Sequence, residues 1–89
     1  MAAVKRWTVD VFIDEDEGHT YAEARLHTGA DTRLIGIGQA RLHPGDHDIP
    51  EIGDELAAAR ALSDLGHVLL VTAATDIEAV TAEPVRITS

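Results

Sequence analysis

The residues best suited to chemistry lie in one short segment between two predicted elements. His43, Asp46, His47 and Asp48 combine imidazole and carboxylate groups, which zinc and nickel accept as ligands. The segment contains the turn sequence Pro44-Gly45, and it lacks the regular spacing by which a helix or strand holds ligands together. We therefore predict a solvent-exposed loop here and no metal site.

Nucleophilic and cofactor chemistry also has few residues to use. The chain has no cysteine, which excludes thiolate catalysis and Cys-type zinc sites. Its two serines, Ser63 and Ser89, lie outside any Gly-x-Ser-x-Gly nucleophile elbow. Gly36-Ile37-Gly38 lacks the third glycine and the following helix of a dinucleotide fingerprint, so we interpret it as a flat strand surface for close packing. The sequence predicts no enzyme and no bound cofactor.

Composition predicts one small globular domain over residues 1–89. Hydrophobic residues make up 45% of the chain and aromatic residues only 3%, which indicates an aliphatic, alanine-rich core. The net charge of −9 opposes binding to nucleic acid and to anionic membranes. The longest strongly apolar run, Val68–Val71, is far shorter than the roughly 20 residues of a membrane span. Without a recognisable targeting segment, the expected location is the cytoplasm.

Three segments alternate between apolar and polar residues with the period of two that is typical of β-strands. In the first segment, Trp7, Val9, Val11 and Ile13 share one face, which we expect to pack against a helix. The three segments are Trp7–Asp14, His19–His27 and Arg33–Leu42, separated by the turn sequences Asp14–Gly18 and Thr28–Asp31. They predict a three-stranded antiparallel meander.

A long helix follows the sheet. Asp48 as the cap, Pro50 in the first turn and Glu51 soon after mark its start. Apolar residues then recur at spacings of three and four, which predicts a core-facing stripe of Ile52, Leu56, Ala59, Leu62, Leu65 and Leu69. We expect the helix to continue through Gly66, although a helix end there followed by a strand at Val68–Val71 is the alternative. Thr75–Glu78 is a second capping box, which predicts a short second helix ending before Pro84.

Apolar residues also occur where one helix cannot cover them. Four of them fall on the opposite face of their strands, and the run Val68–Val71 presents apolar groups all around a helix. Uncovered apolar patches usually mark an interface, so we predict a homodimer. The predicted interface residues are Phe12, Tyr21, Ile35, Ile37, Val68 and Val71.

Several segments resemble a family of small actinobacterial proteins of unknown function. They are Trp7–Asp10, Ile35–Leu42, Pro50–Leu56, Ala59–Leu65 and Asp76–Thr81, and the resemblance extends from Trp7 to Pro84. It implies a fold like the double-stranded-RNA-binding domain, a dimeric state, and a role in stress or hypoxic dormancy. The architecture is also similar to that of small ribosome hibernation factors.

Electrostatics argues against carrying RNA binding over from this resemblance. Double-stranded-RNA-binding domains place positive charge against phosphates, whereas the predicted helix start carries Asp48, Glu51 and Asp54. We expect a non-enzymatic stress protein that acts through protein contacts, with the translation machinery as one partner. The alternative is contact with ribosomal RNA through Arg25, Arg33 and Arg41, which share strand parity. Tight binding to double-stranded RNA is not expected.

Overall fold

One sheet and one helix form two layers in the computed structural model, which describes residues 2–30, 33–43, 45 and 49–87. The strands are β1 (Thr8–Asp16), β2 (His19–His27) and β3 (Leu34–Arg41), and α1 (Pro50–Thr81) follows them. The sheet has the order β1-β2-β3, and both pairs of neighbours are antiparallel. The predicted α+β class and three-stranded meander are confirmed.

The first hairpin is tighter than the predicted acidic loop. Asp14 pairs with Tyr21 and Asp16 pairs with His19, so only Glu17 and Gly18 form the turn. Both turn residues have positive φ, 48° and 75°, as type I′ hairpin turns require. The loop predicted over Asp14–Gly18 was therefore too long. Asp14, Glu15 and Asp16 belong to β1, because its exposed edge position leaves their charged side chains in solvent.

A single helix replaces the two that were predicted. It has 32 residues, continues through Gly66 as expected, and includes Thr75, whose hydroxyl donates to the Val71 carbonyl oxygen at 3.0 Å. The predicted second helix was wrong, because Thr75 bonds back to the preceding turn instead of capping a new start. The observed N-cap is Ile49, which makes no side-chain cap hydrogen bond, and the predicted cap Asp48 lies outside the described residues.

The core consists of small side chains. Ala22 and Ala24 of β2 and Ala57 and Ala61 of α1 are completely buried, with Leu65 almost so. A Cβ atom on Gly38 would overlap the Ala57 carbonyl oxygen, and one on Gly36 would overlap the Ala61 carbonyl oxygen. The helix backbone therefore lies directly on β3, which confirms the interpretation of these glycines as a close-packing surface.

This close approach determines which face of α1 points inward, and the predicted stripe was largely wrong. Leu65 is buried and Leu69 packs against the core, but Ile52, Leu56 and Leu62 are about half exposed, at 50%, 45% and 46%. A glycine-lined strand leaves space for alanine beneath the helix and none for rows of leucine. The Ala57, Ala61 and Leu65 face is therefore the buried one.

The helix covers only part of the sheet. It packs against β3 and β2 and barely touches β1. Val9, Val11 and Ile13 pair with Leu26, Ala24 and Ala22, so they point to the same side of the sheet as the helix. The structure confirms their predicted face, yet all three remain exposed, at 40%, 37% and 45%.

Candidate functional site

The described residues show no assembled metal or catalytic site. No group of three or more His, Asp or Glu side chains with metal-binding geometry occurs in the part of the chain that the structure describes. Of the loop residues considered above, His43 follows β3, whereas Asp46, His47 and Asp48 lie outside the described residues. Ser63 is within α1. The candidate functional features of the described residues are therefore surfaces.

The outer face of the sheet, which points away from α1, gathers four of the predicted interface residues. Phe12 and Ile37 both pair with Glu23, Tyr21 lies opposite Asp14, and Ile35 lies opposite Arg25. Phe12 is 49% exposed and Ile37 is 45% exposed. Antiparallel partners share a face, so Phe12, Tyr21, Ile35 and Ile37 form one surface as predicted.

Val68 and Val71 do not belong to that surface. Both are residues of α1, which lies on the other side of the sheet. Val71 is 44% exposed, and Val68 is half-buried. The six predicted interface residues therefore occupy at least two separate regions of the molecule.

The three arginines of the alternative prediction are only loosely grouped. Arg25 and Arg41 belong to the outer face by register, and Arg33 immediately precedes β3. The Arg25 guanidinium lies 4.1 Å from the Phe12 ring centroid, and its Nε is 2.5 Å from Glu23 Oε2. Cation–π contact and the ion pair both occupy this guanidinium, which lowers its availability for a phosphate.

A larger apolar surface lies on the inner side, beside the helix. Asp64 and Arg60 of α1 reach towards the β3 edge, so the opposite flank of the helix, with Leu62 and Leu69, faces the β1 side. We define the β1 groove as Val9, Val11, Ile13, Leu62 and Leu69. Its floor is the uncovered inner face of β1, and its wall is the flank of α1.

The solvent side of α1 is apolar as well. We define the helix back as Ala59, Gly66, Leu70, Ala73 and Ile77, which recur at spacings of seven, four, three and four and are all exposed. Its small residues would allow close approach of another backbone. A helix with apolar residues on every side is normally surrounded by protein or lipid.

The molecule has more surface than its mass requires. Its accessible area is 7011 Å², against about 5,000 Å² for a compact monomer of this mass. Its radius of gyration is 16.7 Å, against about 12 Å for a compact domain of this length. No large side chain is completely buried among the described residues. The excess area, about 2,000 Å², includes the mostly exposed terminal segments 2–7 and 82–87 as well as the surfaces beside and behind α1.

The two edges of the sheet differ. On the β3 edge, the Ile37 N–H donates to Asp64 Oδ2 at 2.8 Å, and Arg60 Nη1 donates to the Gln39 carbonyl oxygen at 2.6 Å. These two helix side chains occupy backbone groups that another strand would otherwise use. Among the described residues, no side chain hydrogen-bonds the backbone of β1.

Sequence reasoning missed the β1 groove, the helix back, and the edge contacts of Asp64 and Arg60. One signal for the helix phase was present: Gly53, Ala57 and Ala61 form a small-residue row that matches the glycines of β3. The edge contacts had no sequence signal, because the residues are more than 20 positions apart.

Fold and surfaces together define a class of small two-layer protein, in which one long helix covers two strands of a three-stranded sheet. The chain belongs to the Rv2632c-like family, whose sequence model matches residues 5–86. The uncharacterized protein Mb1767 of Mycobacterium bovis is 55% identical over 84 residues, covering 94% of this chain and 88% of that protein. The uncharacterized protein Rv2632c of Mycobacterium tuberculosis is 48% identical over 81 residues, covering 91% and 86%.

A solved structure supports the same fold. The crystal structure of Rv2632c matches with a TM-score of 0.81 and 46% sequence identity, covering 93% of this chain and 98% of that chain. By length and composition alone, α1 could also cross a membrane. This is weak evidence, because the core helix of a soluble protein can pass the same test.

Proposed function

We propose that this protein is a non-enzymatic homodimer of the cytoplasm that acts through protein contacts. The observation that carries the proposal is the combination of the β1 groove and the helix back on one chain with about 2,000 Å² of excess surface. A second copy is the occupant that fits, because both surfaces are present in equal numbers on every chain. A two-fold pair can use each of them twice.

In this dimer, the helix back of one protomer covers the β1 groove of the other. Each helix then packs its alanine face on its own sheet and its back on the partner's β1. The arrangement accounts for a helix that is apolar all around without placing it in lipid. The resemblance to a double-stranded-RNA-binding domain would then describe the single chain, with the partner's helix covering the remaining strand.

The outer face with Phe12, Tyr21, Ile35 and Ile37 is the competing dimer surface, and Val68 and Val71 would then contribute separately. The β1 groove is the better choice because the outer face carries the Arg25–Glu23 ion pair and Asp10, whose charges are costly to bury. Asp10 Oδ2 also lies 3.0 Å from His27 Nε2 on that face.

Multi-angle light scattering on the full chain tests the dimer. We expect about twice the chain mass of 9.5 kDa at micromolar concentration. The mass of a single chain at the highest soluble concentration would contradict the proposal. Val11→Cys and Leu70→Cys on different chains should form a crosslink if the β1 groove is the interface, and should not if the outer face is.

The biological setting rests on the family resemblance. We propose a role in stress or dormancy, with the translation machinery as the partner. This role is tested by using the protein as bait in affinity capture from oxygen-starved cells. A double variant, Phe12→Asp with Ile37→Asp, is the matched control bait. Ribosomal proteins captured by the parent protein and lost with this variant would support both the partner and the outer face as the contact surface.

Direct contact with ribosomal RNA through Arg25, Arg33 and Arg41 is the second candidate. The shared outer-face parity of Arg25 and Arg41 favours it, and the net charge of −9 opposes it. Fluorescence anisotropy of a labelled RNA duplex, at low and at physiological salt, measures whether the protein binds RNA. Sub-micromolar binding that persists at physiological salt, and that is lost when all three arginines become alanine, would make RNA binding the leading function.

A further inference from the structure

The first strand of the sheet has a free edge with a defined set of backbone groups. The two-residue turn at Glu17 and Gly18 makes Asp16 and His19 a hydrogen-bonded pair. Because hydrogen bonding alternates along an antiparallel pair, every second residue of β1 directs its backbone N–H and C=O groups away from β2. We define the β1 edge as the backbone groups of these residues, which are Val9, Val11, Ile13 and Glu15.

The opposite edge of the sheet supports this assignment. By the same alternation, Ile37 and Gln39 of β3 direct their backbone groups away from β2. These are the two residues whose backbones bind Asp64 and Arg60 of α1. The β1 edge has no such contact among the described residues, and the pairing of β1 with β2 runs without a bulge over all nine residues of the strand. β1 therefore offers a continuous ladder to another strand.

The side chains beside the β1 edge indicate what that other strand should contain. The inner face of β1 carries the apolar row of the β1 groove, and the outer face carries Asp10, Asp14 and Asp16. No described basic residue forms an ion pair with Asp14, Glu15 or Asp16. Residues opposite each other on neighbouring antiparallel strands share a face. The matching strand therefore alternates apolar residues with lysine or arginine.

A second copy of β1 is the competing occupant, and it fits less well. In most antiparallel registers it would place acidic residues of the two strands opposite each other, which is destabilising. The register centred on Val11 avoids this and brings Arg6 opposite Asp16 of the other copy. Two chains that each carry a net charge of −9 repel, however, and a second β1 would bring its own α1 to the inner side, beside the β1 groove. A segment without a helix leaves that side open for the partner's helix back.

We propose that the β1 edge binds an extended peptide segment in which apolar residues alternate with lysine or arginine. The segment adds to the sheet as a fourth strand, with its backbone bonded to Val9, Val11 and Ile13. Its apolar side chains extend the floor of the β1 groove, and its cations lie beside Asp10 and Asp14. The proposal rests on the proposed action through protein contacts and names the chemistry of one partner, but it does not require the dimer.

Nuclear magnetic resonance of the full, isotope-labelled chain tests the site with a defined probe, a capped peptide of alternating lysine and valine as long as β1. A scrambled peptide of the same composition is the matched control for general attraction to an acidic protein. We expect the alternating peptide to bind at least about tenfold more tightly. It should also slow hydrogen exchange at the Val9, Val11 and Ile13 amides, with much less change at the Phe12 amide, which bonds to β2. Equal affinities, or unchanged exchange at the β1 edge, would overturn the proposal.

A proline at the edge tests the backbone contact directly. Val11→Pro removes one outward N–H and leaves the bonds between β1 and β2 in place, because that N–H points away from β2. Val11→Ala also shortens the side chain but keeps the N–H, so it is the matched control. We expect the proline variant to bind the alternating peptide about tenfold more weakly than the alanine variant does. Equal affinities in two variants with the same circular dichroism would contradict strand addition.

The same measurements distinguish the other outcomes. Without peptide, protection of the Val11 amide that grows with protein concentration and is lost in Arg6→Gln would assign the β1 edge to a second copy and overturn the proposal. Light scattering reports the dimer independently. A mass of two chains without peptide binding would reject this inference alone, and peptide binding by a protein with the mass of one chain would reject the dimer alone.

Discussion

The two halves of the inner face use apolar residues in opposite ways. Under α1, the core is built from Ala22, Ala24, Gly36 and Gly38, the smallest residues available, and the backbones nearly touch. Beside it, the β1 groove offers Val9, Val11 and Ile13 to solvent. Apart from Leu26 and Leu65, the buried apolar residues are small, and most of the large apolar residues are exposed.

The largest loss of stability should come from adding a side chain where α1 packs closely on β3. Gly38→Val places a branched side chain against the Ala57 carbonyl oxygen, so the helix must leave the sheet. We expect a loss of about 3 kcal/mol or more in the free energy of unfolding, measured by urea denaturation. His67→Ala is the control, since His67 is an exposed residue of α1 outside the β1 groove and the helix back, and it should be neutral or stabilising. Similar losses in both variants would mean that the contact is not specific.

Truncating a buried and an exposed leucine of α1 should destabilise the fold to different extents. Leu65→Ala removes a side chain that is 3% exposed and should cost about 2–5 kcal/mol. Leu56→Ala removes one that is 45% exposed and should cost about 1 kcal/mol or less. Thermal melts of both variants at the same concentration are the measurement. A larger loss for Leu56→Ala would restore the leucine stripe as the buried face.

A charge placed in the β1 groove should weaken dimer formation. Val11→Asp leaves the single chain intact but places a carboxylate in the β1 groove, so the dimer should weaken by about 2 kcal/mol or more. Sedimentation equilibrium measures the dissociation constant, and far-UV circular dichroism checks the fold. Ile37→Asp makes the same change on the outer face. Dissociation by Ile37→Asp alone would move the interface to that face.

The smallest effect should come from the β3 edge. Asp64→Ala removes the acceptor of the Ile37 N–H and should cost about 1 kcal/mol. Hydrogen exchange at the Ile37 amide should accelerate, while the Ala24 amide in the central strand should be unchanged. Unaltered exchange at Ile37 would show that the carboxylate does not protect this edge.

Local patterns predicted the strands well. The bounds of β2, His19–His27, are as predicted, because alternation between apolar and polar residues depends only on near neighbours. The same holds for the face of β1 that carries Val11 and for the continuation of the helix through Gly66. Thr75–Glu78 was misleading because a capping box and a threonine that bonds to the preceding turn have the same sequence.

The sequence by itself determined the α+β class, the meander, the faces of the strands and the presence of a long helix, since each follows from short-range periodicity and turn chemistry. Packing against the sheet decided which face of α1 is buried. Large apolar residues surround the helix, so its periodicity is compatible with more than one orientation, and the flat Gly36–Gly38 surface selects the alanine face. The same selection leaves Leu56 about half exposed and β1 uncovered, because a helix packed closely on β3 and β2 does not reach the third strand.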